Sequence, residues 1–159
     1  MGANSAFSVG VPARLQGLEA SGNMRLRAAS PTVDLEWKGD LIRATRTDTG
    51  EPLPRIAPLR AGATLVVQQG PWGLRLGFDA NARQDRVPVG ERETAGYTLW
   101  NAALTWRNKA GPAELLWYAR VSNLTDKAAR SAASILTQTA PDRAWLQGRS
   151  VRVGVRADF

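Results

Sequence analysis

The chain has 159 residues, a hydrophobic content of 43% and a formal net charge of +7, which together suit one ordinary domain. It contains neither cysteine nor histidine, so chemistry that needs a thiolate or an imidazole, including the usual zinc and haem ligation, is excluded. No run reaches the roughly 18 apolar residues that a transmembrane helix needs, so a β-barrel is the only membrane-spanning structure left open.

The N-terminal 15 residues lack both a charged leader and a long apolar run, so they do not predict a secretory signal. Beyond them, the chain is a succession of segments in which apolar and polar residues alternate. These segments occupy residues 14–28, 33–41, 57–68, 72–85, 97–107, 113–124 and 151–159. A pleated strand sorts such residues onto opposite faces. Each segment can also cross a bilayer at a tilt, for which about 9 to 11 residues suffice.

The connections between these segments alternate between short and long. Short turns containing Gly or Pro lie at residues 29–31, 69–71 and 108–112. Long connections lie at residues 47–56, 87–96 and 125–149. Outer-membrane barrels have short periplasmic turns and long extracellular loops, so the alternation assigns every strand a direction.

Under this assignment, three aromatic residues of the apolar face lie at the same height in the membrane. Trp72, Trp106 and Phe159 all fall close to the periplasmic boundary, where aromatic rings favour the membrane interface. We predict that they are membrane-interface aromatics. The alternative is that they form the aromatic core of a soluble β-sandwich.

These patterns predict an all-β fold, namely an antiparallel up-and-down transmembrane β-barrel segment of about seven or eight strands that forms a partial barrel. Residues 4–11 are the candidate eighth strand. An open segment in lipid leaves two edges of unpaired N–H and C=O groups, each costing several kcal/mol. The segment must therefore pair with further strands, curl into a small barrel or oligomerise.

The sequence contains no catalytic constellation. Asp34, Glu36 and Asp40 lie on one strand face like paired carboxylates, but they alternate with Lys38 on what is expected to be a wet lumen wall. We predict no catalytic, cofactor-binding or metal-binding residue, no cofactor, and no enzymatic activity. The NLT triplet at residues 123–125 matches the N-glycosylation pattern, which is commonly fortuitous.

The positive charge is dispersed along the chain and does not form a patch. The arginines mostly stand singly between apolar neighbours, as at Arg14, Arg25, Arg43, Arg60, Arg75, Arg83, Arg120, Arg152 and Arg156. Nucleic-acid surfaces usually cluster their basic residues. We therefore expect no nucleic-acid partner.

The long connection at residues 125–149 is the best candidate for ligand contact, because loops beyond about 12 to 15 residues are often functional. Its candidate ligand-facing residues are Asp126, Lys127, Arg130, Gln138, Asp142, Arg143 and Trp145. A mobile surface loop without a binding role is an equal alternative.

Several stretches resemble the C-terminal part of the β-barrel of TonB-dependent outer-membrane receptors. The likeness covers the chain from about residue 13 to its end and rests on the order of the stretches GLEASGNMRL, GEPLPRIAPLRAGATL, QGPWGLRLGF, GYTLWNAALTWR, VSNLTDKAARSAAS and GRSVRVGVRADF. Family barrels have about 22 strands around a plugged lumen, whereas no plug or TonB-interacting segment precedes the first strand here. The resemblance implies that residues 1–159 are the C-terminal part of such a barrel, with the plug domain absent, as a truncated receptor, a gene fragment or one piece of a split gene.

The resemblance further implies a fragment of a receptor that imports an iron-siderophore or a similar metal chelate across the bacterial outer membrane. The implied partners are outer-membrane lipid, the remaining barrel strands and plug of the parent receptor, and TonB only through the missing N-terminal part. We expect the chain alone to support no TonB-dependent transport. Two alternatives stay open: a small self-closed outer-membrane barrel with a structural or adhesion role, and a soluble lipocalin-like barrel or sandwich that binds a small ligand.

Overall fold

The computed structural model describes residues 10–159 and contains a single seven-stranded antiparallel sheet in which the strands follow chain order. The strands are β1 (Ala13–Arg27), β2 (Thr32–Arg46), β3 (Arg60–Gln69), β4 (Trp72–Asn81), β5 (Tyr97–Ala110), β6 (Ala113–Ser122) and β7 (Ser150–Asp158). The predicted all-β, up-and-down architecture is confirmed. The candidate eighth strand, residues 4–11, lies almost entirely outside the described residues.

The sheet is open. β1 and β7 form its two edges and do not pair with each other within residues 10–159. Each edge strand therefore offers a row of backbone groups to a further strand. The architecture is that of a partial barrel, and closure of this sheet on itself is not observed.

Short and long connections lie at opposite ends of the sheet. We call the end with the connections 28–31, 70–71 and 111–112 the turn end, and the end with the connections 47–59, 82–96 and 123–149 the loop end. Gly70 and Gly111 adopt positive φ angles of 54° and 62° in their turns, a backbone region open to glycine without steric cost. The predicted alternation of connection lengths is confirmed.

The strand register carries the apolar face from one strand to the next. Leu35 lies opposite Met24 on one side and Leu65 on the other, and Leu65 lies opposite Leu76. A slip of one residue in any pairing would turn a whole apolar set to the other face. The apolar face is therefore continuous across the sheet at this register.

The opposite face is polar and is linked by ion pairs. Lys38 Nζ lies 2.8 Å from Asp79 Oδ1, and Arg60 Nη2 lies 2.9 Å from Asp40 Oδ2. Two further pairs join Arg25 to Asp34 and Arg75 to Glu36. The β2 carboxylates that resemble a catalytic set are each paired with a basic residue of another strand, namely Arg25 on β1, Arg60 on β3 and Arg75 on β4.

No second layer covers the apolar face among the residues described. The buried hydrophobic residues are almost all alanines, namely Ala44, Ala113, Ala129 and Ala144, together with Val66. Leu18 and Val153 are instead 75% and 72% exposed. The alternative of a sandwich core is therefore wrong for the described chain. The helical elements are α1 (Leu136–Thr139) and a 3-10 turn (Pro141–Arg143), and no described helix has the length and apolar character to span a membrane.

Several predicted strand limits are wrong, each for a local reason. β2 continues to Arg46, whereas 33–41 was predicted, because its last residues still pair with β1 after the apolar alternation has stopped. β4 ends at Asn81, whereas 72–85 was predicted, because Gln84 bridges Thr94 instead of a strand. β3 begins at Arg60 and not at residue 57, since Pro58 has no N–H to donate to a ladder.

β1 also departs from strict alternation. Its register shifts between Arg25 and Arg27, so Leu26 has no partner on β2. Such a bulge bends the strand and interrupts the side-chain alternation. The predicted segment 14–28 is one residue too long, since Ala28 lies beyond the end of the strand.

Candidate functional site

The long loop between β6 and β7 is fastened at its base by Asn123, which is 3% exposed. Its Nδ2 donates to the carbonyl oxygens of Lys127, at 3.0 Å, and Gln147, at 3.2 Å, and its Oδ1 accepts from the Lys127 N–H at 2.8 Å. Asn123 has a positive φ of 51°, which asparagine tolerates well. The sequence analysis missed this role, although an asparagine directly after a strand was the available signal.

Two of the candidate ligand-facing residues take part in the same base. Asp126 Oδ1 accepts the backbone N–H of Arg149 at 2.7 Å, which joins the start of the loop to its end. Lys127 contributes through its backbone N–H and C=O, both bonded to the Asn123 side chain. The observed contacts of Asp126 and Lys127 therefore order the loop.

Arg130 and Trp145, predicted separately as ligand contacts, lie against each other. The Arg130 guanidinium carbon is 3.7 Å from the centroid of the Trp145 ring, and Arg130 Nε donates to the Pro141 carbonyl at 2.8 Å. A guanidinium over an indole face is attracted by the ring quadrupole. Trp145 keeps 51% of its surface exposed, so the pair presents a cationic and aromatic surface.

Gln138 joins the β6–β7 loop to the β4–β5 loop. Its Oε1 accepts the Arg92 N–H at 2.8 Å, and its Nε2 donates to the Arg92 C=O at 2.9 Å. One side-chain amide thus pairs with both backbone groups of one residue, as a neighbouring strand would. The two longest loop-end segments are therefore coupled at this point.

The last two candidates, Asp142 and Arg143, lie in the 3-10 turn and are exposed. The Asp142 side chain is fully exposed, and its Oδ1 lies 4.0 Å from Arg130 Nη2. Of the seven predicted residues, these two contribute least to holding the loop in place.

A hollow of about 310 Å³ lies between the two coupled loops. Its lining includes Arg92, Lys127, Arg130, Tyr97 and Trp145, together with Thr94. The Thr94 hydroxyl is buried and has no hydrogen-bond partner among the described residues, a costly state for a polar atom. Three cations, aromatic walls and an unpartnered hydroxyl suit a ligand that carries anionic oxygens.

The carboxylate beside this hollow is already paired. Glu93 binds Arg83, and the pairing raises the pKa of the Arg83 guanidinium above its ordinary value through the side-chain hydrogen bond and the charge attraction. Glu93 therefore does little to offset the cations of the hollow. No group of three or more potential metal-ligating side chains occurs in residues 10–159.

Tryptophans form a row on the apolar face near the turn end. Trp72 lies opposite Trp106, and Trp106 lies opposite Trp117 on the next strand. The rings of Trp72 and Trp106 stack, with centroids 5.8 Å apart and planes at 21°. The Trp117 indole N–H donates to Asn108 Oδ1 at 3.0 Å, so it has a polar partner as interfacial tryptophans require.

Phe159, the third predicted interface aromatic, stands apart from this row. The β7 residue opposite Trp117 is Val155, and Phe159 follows four positions later with 99% of its surface exposed. The structure thus brings Trp72 and Trp106 together and adds Trp117, which the sequence analysis did not assign to the interface.

Comparison with known proteins places the chain among barrel proteins. The family model described as "TonB dependent receptor-like, beta-barrel" matches residues 2–124. No curated protein sequence matches the chain. Among solved structures, the copper transporter OprC superposes with a TM-score of 0.78 at 21% identity, over 91% of this chain and 23% of that one. The chain thus spans about a quarter of that transporter's length, and at this identity the likeness shows the fold alone.

Proposed function

The chain belongs to the TonB-dependent receptor-like β-barrel family, and from that premise we propose that it forms part of the wall of an outer-membrane transporter. In this proposal its cargo is an iron-siderophore or a similar metal chelate, and the chain itself catalyses no reaction. Its proposed partners are outer-membrane lipid, further barrel strands and a plug domain, with TonB acting through the plug.

The observation that carries the proposal is the continuous apolar face. Large apolar side chains remain exposed on every strand, including Leu18, Leu76 and Val153, and no protein layer covers them in residues 10–159. Soluble monomers rarely expose contiguous apolar patches of more than a few hundred Å². Acyl chains are the partner that such a belt fits, and the tryptophan row near the turn end fits the interface between hydrocarbon and headgroups.

The polar face fits a lumen wall. Its ion pairs link different strands through side chains that remain partly exposed, such as Lys38 on β2 and Asp79 on β4 at 69% and 45%. Exposed pairs of this kind contribute only about 0–1 kcal/mol each. They are therefore compatible with a wall that faces water. A small self-closed barrel is not favoured, because β1 and β7 remain unpaired with each other.

The hollow between the coupled loops supports a chelate as cargo. Arg92, Lys127 and Arg130 supply positive charge, and Trp145 supplies an aromatic wall, which together suit an anionic organic ligand. The copper transporter to which the chain is structurally similar raises a bare metal ion as the alternative. The chain has no histidine and no cysteine, the side chains that copper prefers, so a chelated metal fits these residues better.

Uptake of radiolabelled ferric chelates by cells that express the complete gene product, with and without TonB, tests this function. We expect TonB-dependent uptake that Arg130→Gln combined with Trp145→Ala lowers at least tenfold. The matched control is Asp142→Asn combined with Arg143→Gln, on the exposed turn, and it should leave uptake unchanged. Uptake that is independent of TonB, or a gene product absent from the outer membrane, would contradict the proposal.

A further inference from the structure

Three arginines lie around Thr45 at the loop end of the apolar face. Arg14 lies directly opposite Thr45 in the β1–β2 register, and Arg43 precedes Thr45 by two residues on the same face of β2. Arg86, from the loop after β4, donates through Nη2 to Thr45 Oγ1 at 3.2 Å. We call Arg14, Arg43 and Arg86 the rim arginines.

The rim arginines lack acidic partners. None of them lies within 4 Å of a carboxylate in the described chain, whereas the arginines of the polar face on β1, β3 and β4 each have one. The nearby acid Asp48 is held by Arg46 at 2.7 Å, and that hydrogen bond keeps the pKa of Asp48 below its ordinary value. The charge of Asp85, next to Arg86 in the chain, acts on Arg83. All three rim arginines are exposed, so this is a concentration of arginines that form no ion pair within the described chain.

The polarity of the two faces inverts at this level of β1 and β2. Leu18 lies opposite Leu41 on the apolar face, but the next pair on that face is Gln16 and Arg43. On the other face, Leu15 lies opposite Ala44, whereas charged side chains pair on that face closer to the turn end. The apolar belt therefore ends between Leu41 and Arg43.

This end point places the rim arginines at and just above a headgroup layer. The apolar belt of β2 runs from Val33 to Leu41, and these nine positions match the roughly 9 to 11 residues that cross the hydrocarbon core at a tilt. At about 3.4 Å per residue, Arg43 and Thr45 lie about 7 and 14 Å beyond Leu41 along the strand. At a tilt of about 45° these become roughly 5 and 10 Å of height, so Arg43 lies within a headgroup region of about 5 to 7 Å and Thr45 lies just above it.

On the assumption that the apolar face meets lipid, as the proposed function has it, we propose that the rim arginines and Thr45 bind the phosphate of a lipid headgroup in the outer leaflet. Arginine pairs with phosphate through two parallel N–H donors, and it does so with more geometric specificity than lysine. The acyl chains of the same lipid would lie along Leu18 and Leu41 immediately below. Charge and depth thus select an anionic amphiphile over a soluble anion.

Retention of bisphosphorylated lipid A by the protein purified from outer membranes in detergent tests this inference, with bound lipid counted by native mass spectrometry. Neutralising the cluster in the triple variant Arg14→Gln, Arg43→Gln and Arg86→Gln should weaken retention at least tenfold. The triple lysine variant, which keeps the charge but loses the bidentate geometry, should fall between the two. Migration on gels before and after boiling verifies that each variant folds as a barrel.

Neutralising three arginines of the polar face, Arg107, Arg120 and Arg152, gives a control with the same change in net charge, and this control should retain lipid A as the parent protein does. Dephosphorylated lipid A should not be retained by any of these proteins. Equal retention by the rim variant and the parent would overturn the inference, and so would displacement of lipid A by millimolar inorganic phosphate alone. A protein that never enters the outer membrane would instead refute the proposed function, so the two failures are distinguishable.

Discussion

The depth of Leu76 in the apolar belt provides a quantitative test of the proposed lipid face. Leu76 is the middle apolar-face position of β4, four residues from Trp72 and four from Ala80, and it lies between Leu65 and Ala102 on the neighbouring strands. At about 3.4 Å per residue, each end is about 14 Å away along the strand. With a tilt of about 45°, Leu76 is therefore about 10 Å from either edge of the belt.

An arginine near the midplane of an outer-membrane barrel costs about 2–4 kcal/mol, and near the interface it costs about 0–1 kcal/mol. Leu76→Arg should therefore lower the free energy of unfolding by about 2–4 kcal/mol, which is a factor of about 30 to 900 in the equilibrium constant. Leu59→Arg, next to β3 at the loop end, should lower it by about 1 kcal/mol or less. Urea unfolding in lipid bilayers measures both, with the six tryptophans as the fluorescent reporters.

Leu99→Arg is the matched control on the polar face, because Leu99 lies opposite Asp79 and a new arginine there gains an acidic neighbour facing the lumen. It should change the free energy of unfolding by less than about 0.5 kcal/mol, as ordinary surface substitutions do. Equal losses for Leu76→Arg and Leu59→Arg, or a larger loss for Leu99→Arg, would refute the assignment of the apolar face to lipid.

Three further substitutions, the first with a matched control, test individual contacts. Gly22→Ala should destabilise by about 1–3 kcal/mol, because a Cβ there would stand 2.8 Å from the Trp37 ring, while Gly39→Ala, with its nearest atom at 3.6 Å, should be tolerated in the same unfolding assay. Gln138→Ala should speed amide hydrogen exchange in both coupled loops, and faster exchange in only one loop would contradict the observed amide pairing. Asn123→Ala should cost about 1–3 kcal/mol by leaving buried backbone groups unpaired, and proteolysis within the β6–β7 loop would report it.

The order and number of the strands could be predicted because alternation is a local signal. Every pairing joins strands that are neighbours in the chain, so no long-range information was needed to order the sheet. Gly70 and Gly111 fix tight turns, and such turns set the register of the strands beside them. The seven predicted segments accordingly became seven strands.

Strand limits were less predictable where pairing and alternation disagree. Backbone hydrogen bonds hold β2 together as far as Arg46, although apolar side chains stop alternating at Leu41. Backbone hydrogen bonds can continue where the alternation of side chains has stopped, and the sequence pattern then does not show where the strand ends. The opposite error arose at β4, where Ala82 continues the pattern after the ladder to β5 has ended at Asn81.

The candidate loop was the least predictable part. Its residues were chosen for charge and polarity, but Asp126 and Gln138 hydrogen-bond to backbone groups of Arg149 and Arg92, 23 and 46 positions away. Contacts between residues so far apart along the chain produce no periodic pattern in the sequence. The Arg130–Trp145 pair is the element that retains the predicted ligand-facing character, since its aromatic surface remains exposed.

The alternation that specifies this sheet contributes little to its stability in water. Large apolar side chains such as Leu18 remain mostly exposed in the described chain, and exposed ion pairs such as Lys38–Asp79 contribute about 0–1 kcal/mol each. Under the proposed function, local register and global stability therefore have separate sources, the first in the sequence and the second in lipid and in strands that pair with β1 and β7. Substitutions on the apolar face should accordingly change the free energy of unfolding according to their depth in the bilayer, and not according to the number of protein atoms that they contact.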